Sequence, residues 1–239
     1  MAVGGCALLD GGRHNLPVAH RYVEPTGFVT KTARIDGHRR KYVLYIPANY
    51  DPRKKWPLIV FLHGASRRGS DGVEQTDQGM GPAIKAHPGR FPCLVLMPQC
   101  PRGKRWDTAS EYIDIPLDRT LHEYPVDLNR VYLTGCSMGG FGTFYYGSER
   151  TNLYAAMMPI SGGGRVDQGP ELAHVPMWIF HNRGDRVVPV SRSRTMVKAI
   201  EHAHGDVRYT EFPVKGHDAW TRAYNDPHVI QWLLHQHKG

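Results

Sequence analysis

A serine, an aspartate and a histidine (Ser137, Asp185 and His217) occur in that order, and an apolar run precedes each at short range. A serine hydroxyl attacks a carbonyl only when a histidine takes its proton and a carboxylate orients that histidine. Ser137 lies in Gly135-Cys136-Ser137-Met138-Gly139, after the run Val131-Tyr132-Leu133-Thr134 and before a helix-compatible segment. A strand, a tight turn and a helix with serine at the apex form a nucleophile elbow. Gly135 and Gly139 suit it, because such a turn brings the two backbones close and strains the serine. The bland reading is a glycine-rich strand-to-helix turn with an incidental serine, so the other two residues decide.

Asp185 follows the apolar run 177–180 within Gly184-Asp185-Arg186, and His217 follows the run 207–212 within Gly216-His217-Asp218. Both fall in loops at carboxyl ends of strands, the edge where open α/β sheets hold their active sites. Singly, each means little: aspartate after glycine is a common turn former, and His217 is one of 14 histidines. Their order, and the room for one βα unit between them, carries the assignment of a Ser137, His217, Asp185 triad. Asp218 and Asp206 are weaker candidates for the acid, since one adjoins the histidine and the other precedes its strand.

A tetrahedral oxyanion needs hydrogen-bond donors. The Met138 N–H, next after the nucleophile, is one; Ala65, in the His63-Gly64-Ala65 loop after the third strand, is expected to supply the second. His63 reads as a loop brace. Trp106, Ser66, Arg67, Gln99 and Trp220 are the candidate substrate contacts. Trp106 either stacks on a ring of the substrate or belongs to the core. Arg67, Arg68 and the 102–105 cluster are expected to border the same mouth, where they either favour anionic substrates or merely point into solvent. The chain has no H-x-E, H-E-x-x-H or C-x-x-C pattern, so no metal or cofactor is expected.

The elements that must position these residues follow from periodicity. Strands are expected over 28–35 and 40–46 around an Asp36-Gly37 turn, and over 58–62, 93–97, 131–134, 154–160, 177–180 and 207–212. Helices are expected near 83–86, over 115–124, after Ser137, over 191–203 with Ser191 as N-cap, and over 227–235. Alternating strands and helices imply an α/β architecture with a mostly parallel sheet. Residues 1–25 read as an irregular arm, and 26–239 as a single catalytic domain without a separate cap.

Composition sets outer bounds. The 239 residues are 41% hydrophobic, enough for a sizeable core. No apolar run reaches the roughly 18 residues of a membrane helix, and none reads as a signal peptide. The expected location is cytoplasmic, or secreted if an export signal lies outside this sequence. Four cysteines fit a reducing compartment. Cys93 and Cys100 flank one extended run that holds them about 23 Å apart, beyond the roughly 7 Å limit of a disulfide. The net charge of +8 raises nucleic acid as a partner, yet the basic residues are scattered and no nucleic-acid-binding motif accompanies them. A non-catalytic binder on the same scaffold is the other competing class, and such proteins tend to lack a triad member.

The segments PLIVFLHGAS with RRGSDG, VLMPQCP, VDLNRVYLTGCSMGGFGT, PISGGG, MWIFHNRGDRVVPVSRSRTMV and VRYTEFPVKGHDAW resemble the peptidase- and esterase-like α/β-hydrolases related to feruloyl esterases and polyhydroxybutyrate depolymerases. The resemblance runs from Tyr42 to about Trp232. It implies an α/β-hydrolase fold of about eight strands with helices on both faces, with Ser137, Asp185, His217, Met138 and Ala65 in the roles above. The implied activity is a serine carboxylesterase acting on small acyl or aryl esters, hydroxycinnamoyl groups included, with peptidase or thioesterase activity as the alternative. The implied partner is a small-molecule or oligosaccharide ester, with no nucleic acid or membrane, in a monomer or small homo-oligomer. Two departures stand out: Cys136 where leucine is usual, and Ser66-Arg67-Arg68 where Gly-Glu-Arg is common.

Overall fold

The computed structural model describes residues 25–238. The expected arm over 1–25 therefore lies, but for its last residue, outside the described residues. Eight strands run β1 Gly27–Ile35, β2 His38–Ile46, β3 Trp56–Leu62, β4 Leu94–Met97, β5 Val126–Cys136, β6 Ala156–Ile160, β7 Met177–Gly184 and β8 Val207–Lys215. They form one sheet in the order β1-β2-β4-β3-β5-β6-β7-β8. The first two pair antiparallel, β2 pairs antiparallel with β4, and the strands from β4 to β8 are parallel. Asp36 at φ 51° and Gly37 at φ 71° make the expected hairpin turn, the left-handed pair that matches strand twist.

Seven helices cover the sheet: α1 Met80–Ala86, α2 Glu111–Glu123, α3 Met138–Ser148, α4 Gly169–Leu172, α5 Ser191–His202, α6 Trp220–Asn225 and α7 Pro227–His235. The run Leu58 to Leu62 explains why they lie on both faces. Successive side chains of a strand point to opposite sides. Thus Leu58, Val60 and Leu62 join a core with residues of α2, α3, α4 and α5. Ile59 and Phe61 join a second core with α1, α6 and α7. With both faces covered, the strand is apolar throughout.

Several boundaries differ from expectation. The β7–β8 ladder continues to Gly184↔Lys215, because backbone pairing carries polar side chains that hydropathy does not register. Helix α2 starts a turn earlier than residue 115, since Tyr112 and Ile113 are buried on the same face as Leu117. Ser191 is the first residue of α5 and makes no capping bond. Asp226 caps α7 through the His228 N–H at 2.9 Å, with Pro227 at the first position.

From β3 the chain crosses to β4 on one side, and then returns to β5 on the other. The carboxyl ends of β3 and β5 thus meet at a topological switch point, the usual crevice of such sheets. Their closeness is extreme. A Cβ built on Gly139 would lie 1.8 Å from the Leu62 carbonyl oxygen, and one on Gly135 would lie 2.4 Å from the Gly139 oxygen. We therefore expect Gly139→Ala to cost about 3 kcal/mol or more, a fall in Tm of about 6–12 °C. Gly89→Ala, where a Cβ meets nothing within 4 Å, should leave Tm within a degree or two by scanning calorimetry. Equal melting of the two variants would refute this reading of the turn.

Candidate active site

Ser137 occupies the turn between β5 and α3 at φ 56°, ψ −117°, a conformation non-glycine residues adopt only when the surroundings enforce it. Its N–H donates to the Ile160 carbonyl at 2.9 Å, and its own carbonyl accepts from the Phe141 N–H at 3.0 Å. These bonds and the glycine contacts hold Oγ at the head of α3.

The structure brings the three triad candidates together. His217 Nε2 lies 2.7 Å from Ser137 Oγ, and His217 Nδ1 lies 2.6 Å from Asp185 Oδ2. A carboxylate only accepts, so Nδ1 carries the proton and Nε2 is free to accept from the serine. Asp185 Oδ1 accepts from the Val187 and Val188 N–H groups at 2.8 and 3.0 Å. Burial pushes the Asp185 carboxyl up, but the bonds from His217, Val188 and Val187 outweigh it and its pKa is lowered. Asp218 is turned elsewhere: its oxygens accept from the Thr221 N–H and hydroxyl at 2.9 and 2.7 Å.

The loop bearing His217 is anchored on three sides. Asn182 Nδ2 donates to the Gly216 carbonyl at 3.0 Å, Ser161 Oγ donates to the His217 carbonyl at 3.1 Å, and Trp220 sets its ring edge-on to the imidazole at 5.1 Å. A second imidazole, unforeseen from the sequence, touches the acid. Fully buried His181 has Nε2 3.2 Å from Asp185 Oδ2 and 3.0 Å from the Val188 carbonyl, with Nδ1 2.7 Å from Ser193 Oγ.

Among the described residues, the N–H groups of Met138 and Ala65 have no acceptor. Met138 opens α3, and Ala65 opens a short 3-10 turn, Ala65–Arg67; first-turn N–H groups are left free by helix geometry. His63 holds the Ala65 turn. Its Nδ1 donates to the Gly64 carbonyl at 2.7 Å and its Nε2 accepts from the Cys100 N–H at 3.0 Å. A trans peptide opposes its C=O and N–H, so fixing the Gly64 oxygen aims the Ala65 N–H the other way. Gln78 Oε1 accepts from the Gly64 N–H at 2.8 Å.

A cleft of about 420 Å³ opens over Ser137, lined by Ala65, Arg68, Trp106, Met138, Phe141 and Tyr145, with Arg105, Asp107 and Arg192 at its wall. The expected substrate contacts are placed differently. Trp106 reaches the cleft but is 1% exposed, and its Nε1 donates to the His63 carbonyl at 2.9 Å, so it is chiefly a core residue. Gln99 is buried beneath the adjoining loop, where it bonds the Gly72 N–H and the Asp71 carboxylate. Ser66 lines a neighbouring depression, Arg67 turns its Nε into the protein, and Trp220 backs His217. None of these four lines the cleft. Arg192, which does, had no signal in the sequence, because the first turn of α5 reaches the site only through the crossover after β7. Among the described residues no three His, Cys, Asp or Glu side chains converge to hold a metal ion, and no helix is long and apolar enough to cross a membrane.

The sheet order, the elbow after β5 and the covered parallel strands define an α/β-hydrolase fold. Comparison with known proteins then shows a likeness to esterases within that class. A thermostable esterase is 34% identical with a TM-score of 0.81, over 88% of this chain and 63% of its own. The bifunctional acetylxylan esterase/xylanase XynS20E of Neocallimastix patriciarum is 31% identical over 156 residues, 63% of this chain and 22% of that protein. The chain thus spans less than two thirds of either relative. A feruloyl esterase module from Clostridium thermocellum, solved with sinapinate, is 15% identical at a TM-score of 0.69, over 87% of this chain and 88% of its own; at that identity the likeness is one of fold. No family model matches the chain.

His63 gives the site a pH signature. Burial drives its pKa down from 6.5 to about 4. The folded state then binds fewer protons than the unfolded one below pH 6.5. Stability present above that pH is lost as pH falls toward 4, at about 1.4 kcal/mol per unit. Denaturant titrations should show wild type losing stability more steeply over that window than His63→Asn. Parallel pH curves would show that His63 is not held neutral.

Proposed function

We propose that the chain is a serine carboxylesterase that hydrolyses small acyl or aryl esters through an acyl-enzyme on Ser137. The observation that carries this is the unbroken line from Ser137 Oγ to His217 Nε2 at 2.7 Å and from His217 Nδ1 to Asp185 Oδ2 at 2.6 Å. The likeness to a thermostable esterase and an acetylxylan esterase supports the same chemistry.

In this reading Ser137 Oγ attacks the ester carbonyl as His217 Nε2 takes its proton. The carbonyl oxygen becomes an oxyanion facing the Met138 and Ala65 N–H groups, worth about 3–4 kcal/mol per donor in comparable sites. Asp185, held ionised, stabilises the imidazolium without accepting its proton. The tetrahedral species collapses, the alkoxide leaves with the proton from His217, and water repeats the sequence to release the acid and restore Ser137. An aromatic lining of Trp106, Phe141 and Tyr145 with charged groups beside it suits a cleft for a ring or an acyl chain.

Ser137→Ala should fold normally, lose ester turnover by a factor of about 10⁴ or more, and escape fluorophosphonate labelling. Asp185→Asn should lower kcat by about 10³–10⁴, whereas Asp218→Asn should keep activity within a few-fold. A screen of short p-nitrophenyl esters, methyl ferulate and peptide anilides checks all three. Labelling that survives in Ser137→Ala, or a crippled Asp218→Asn, would show that the roles are misassigned. Turnover of anilides alone would remove the ester reading.

A further inference from the structure

The cleft wall carries more positive charge than the protein neutralises. Arg105 is held by the Asp107 carboxylate, with its Nε 3.0 Å from Oδ1 and a second bond from Nη2 to Oδ2. Arg68 is fixed by neutral acceptors, the Ala65 carbonyl at 3.1 Å and the Lys104 carbonyl at 3.3 Å. Those bonds use its Nε and one Nη, leaving three of five N–H donors free. The Arg192 guanidinium has no hydrogen bond or ion pair among the described residues, and its stem lies against Gly163, where a Cβ would meet Arg192 Cβ at 2.9 Å. One carboxylate therefore faces three guanidiniums around Ser137. Of the other carboxylates near Ser137, Asp185 is buried and committed to His217, and Asp218 is committed to Thr221.

Resting on the ester-hydrolase reading, we propose that Arg68 and Arg192 form a carboxylate-binding subsite, and that the preferred substrates are esters bearing a carboxylate in the half seated against the cleft wall. Arg68 is preorganised by two backbone carbonyls, so little order is lost when it grips an anion. Guanidinium and carboxylate match as planar, bidentate partners. The aromatic floor of Phe141 and Tyr145 lies beside them, so the ligand combines a ring or chain with an anionic end.

The test compares phenyl hydrogen adipate with its methyl ester, which carries the charge on the acyl half, and 4-(carboxymethyl)phenyl acetate with its methyl ester, which carries it on the alcohol half. In one pair, wild type should favour the anion in kcat/KM. That preference should fall about tenfold in Arg192→Gln and in Arg68→Gln, about 1.4 kcal/mol, and should shrink at high salt. The pair that responds identifies the half of the substrate at the wall. Anion-to-neutral ratios that are the same in wild type and both variants would overturn the subsite while leaving the esterase reading intact. Failure of wild type to turn over any of the four esters would overturn that reading and the subsite with it.

A different observation assigns His181 as a positioning residue. The Asp185 carboxylate is closely surrounded: Oδ1 accepts from two backbone N–H groups, Oδ2 accepts from His217, and His181 Nε2 stands 3.2 Å from Oδ2. The Val188 carbonyl only accepts, so His181 Nε2 carries the proton; Nδ1 then accepts from Ser193 Oγ at 2.7 Å, whose one proton goes there rather than to the Gly162 carbonyl at 3.2 Å. Asp185 and His217 are the titratable groups that face His181; Ser193 from α5 and the Val188 carbonyl are neutral. A neutral His181 thus holds Asp185 in the plane that His217 needs and tempers its basicity.

His181→Gln keeps an N–H at the Nε2 position, whereas His181→Leu removes it. The leucine variant should lose about tenfold in kcat at unchanged KM, with the acid limb of the rate profile moved to higher pH, since an undersaturated carboxylate better supports the imidazolium. The glutamine variant should keep the wild-type limb. If the leucine variant does not fold, Ser193→Ala should show the same shift more weakly. A lower Tm with kcat and acid limb unmoved in either variant would reduce His181 to a packing residue.

Discussion

The contact on which the rest depends is the one between the Gly139 backbone and the Leu62 carbonyl, closed to within the space of a missing methyl group. It joins the first turn of α3 to the end of β3. One approach thereby ties down both N–H groups left without an acceptor: Met138 because it opens α3, and Ala65 because its turn leaves β3 three residues beyond Leu62. It also forces the serine into its left-handed conformation, since the chain must leave β5 and enter α3 without room for a normal turn. Sheet twist and two buried cores supply the energy that keeps this strain in place. The strain is local, and its cost is spread over the packing of both faces.

Three imidazoles show how burial sorts one residue type into separate tasks. His63 and His181 are sealed in the protein, where desolvation holds them neutral. Each then has one donor and one acceptor nitrogen in a fixed tautomer. A neutral imidazole in that state can link two elements with direction: His63 ties the Gly64 carbonyl to the Cys100 N–H, and His181 ties α5 to the Asp185 carboxylate. His217 alone among them is partly exposed, between Ser137 and Asp185. The sealed two hold still the groups around it.

The convergence of Ser137, Asp185 and His217 was legible because each follows a strand, and strands announce themselves through apolar runs. Chain order and the parallel sheet then bring the ends of β5, β7 and β8 to one edge. His181 was hidden for the converse reason. It lies inside β7, where alternation suggests a buried strand position and gives no hint that its ring meets the next turn. Gln99 was misjudged because nearness to a loop in sequence does not say whether a side chain faces the cleft or the loop's underside. Short helices such as α4 and α6 carry too few turns for a periodic signal, and α6 is tied to the preceding loop by the Thr221 N–H bond to Asp218 and to the core by Ala223 and Tyr224. The cleft wall was the least legible part. Arg192 stands 55 positions from Ser137, and only the crossover from β7 into α5 returns it there.

That difference follows from what each part of the site must resist. Ser137, Asp185, His217 and the unpaired Met138 and Ala65 N–H groups are held by backbone geometry, so their residue types and spacing are narrow and leave a readable pattern. The wall is built from first turns and loop side chains that need only reach the cleft, so many sequences satisfy it and none leaves a motif. Charge is the constraint that survives at the wall. Guanidiniums gathered in one crevice repel one another, and a bound anion offsets that repulsion. An uncompensated pair of arginines above Ser137 is easier to understand as half of an ion pair whose other half arrives with the substrate.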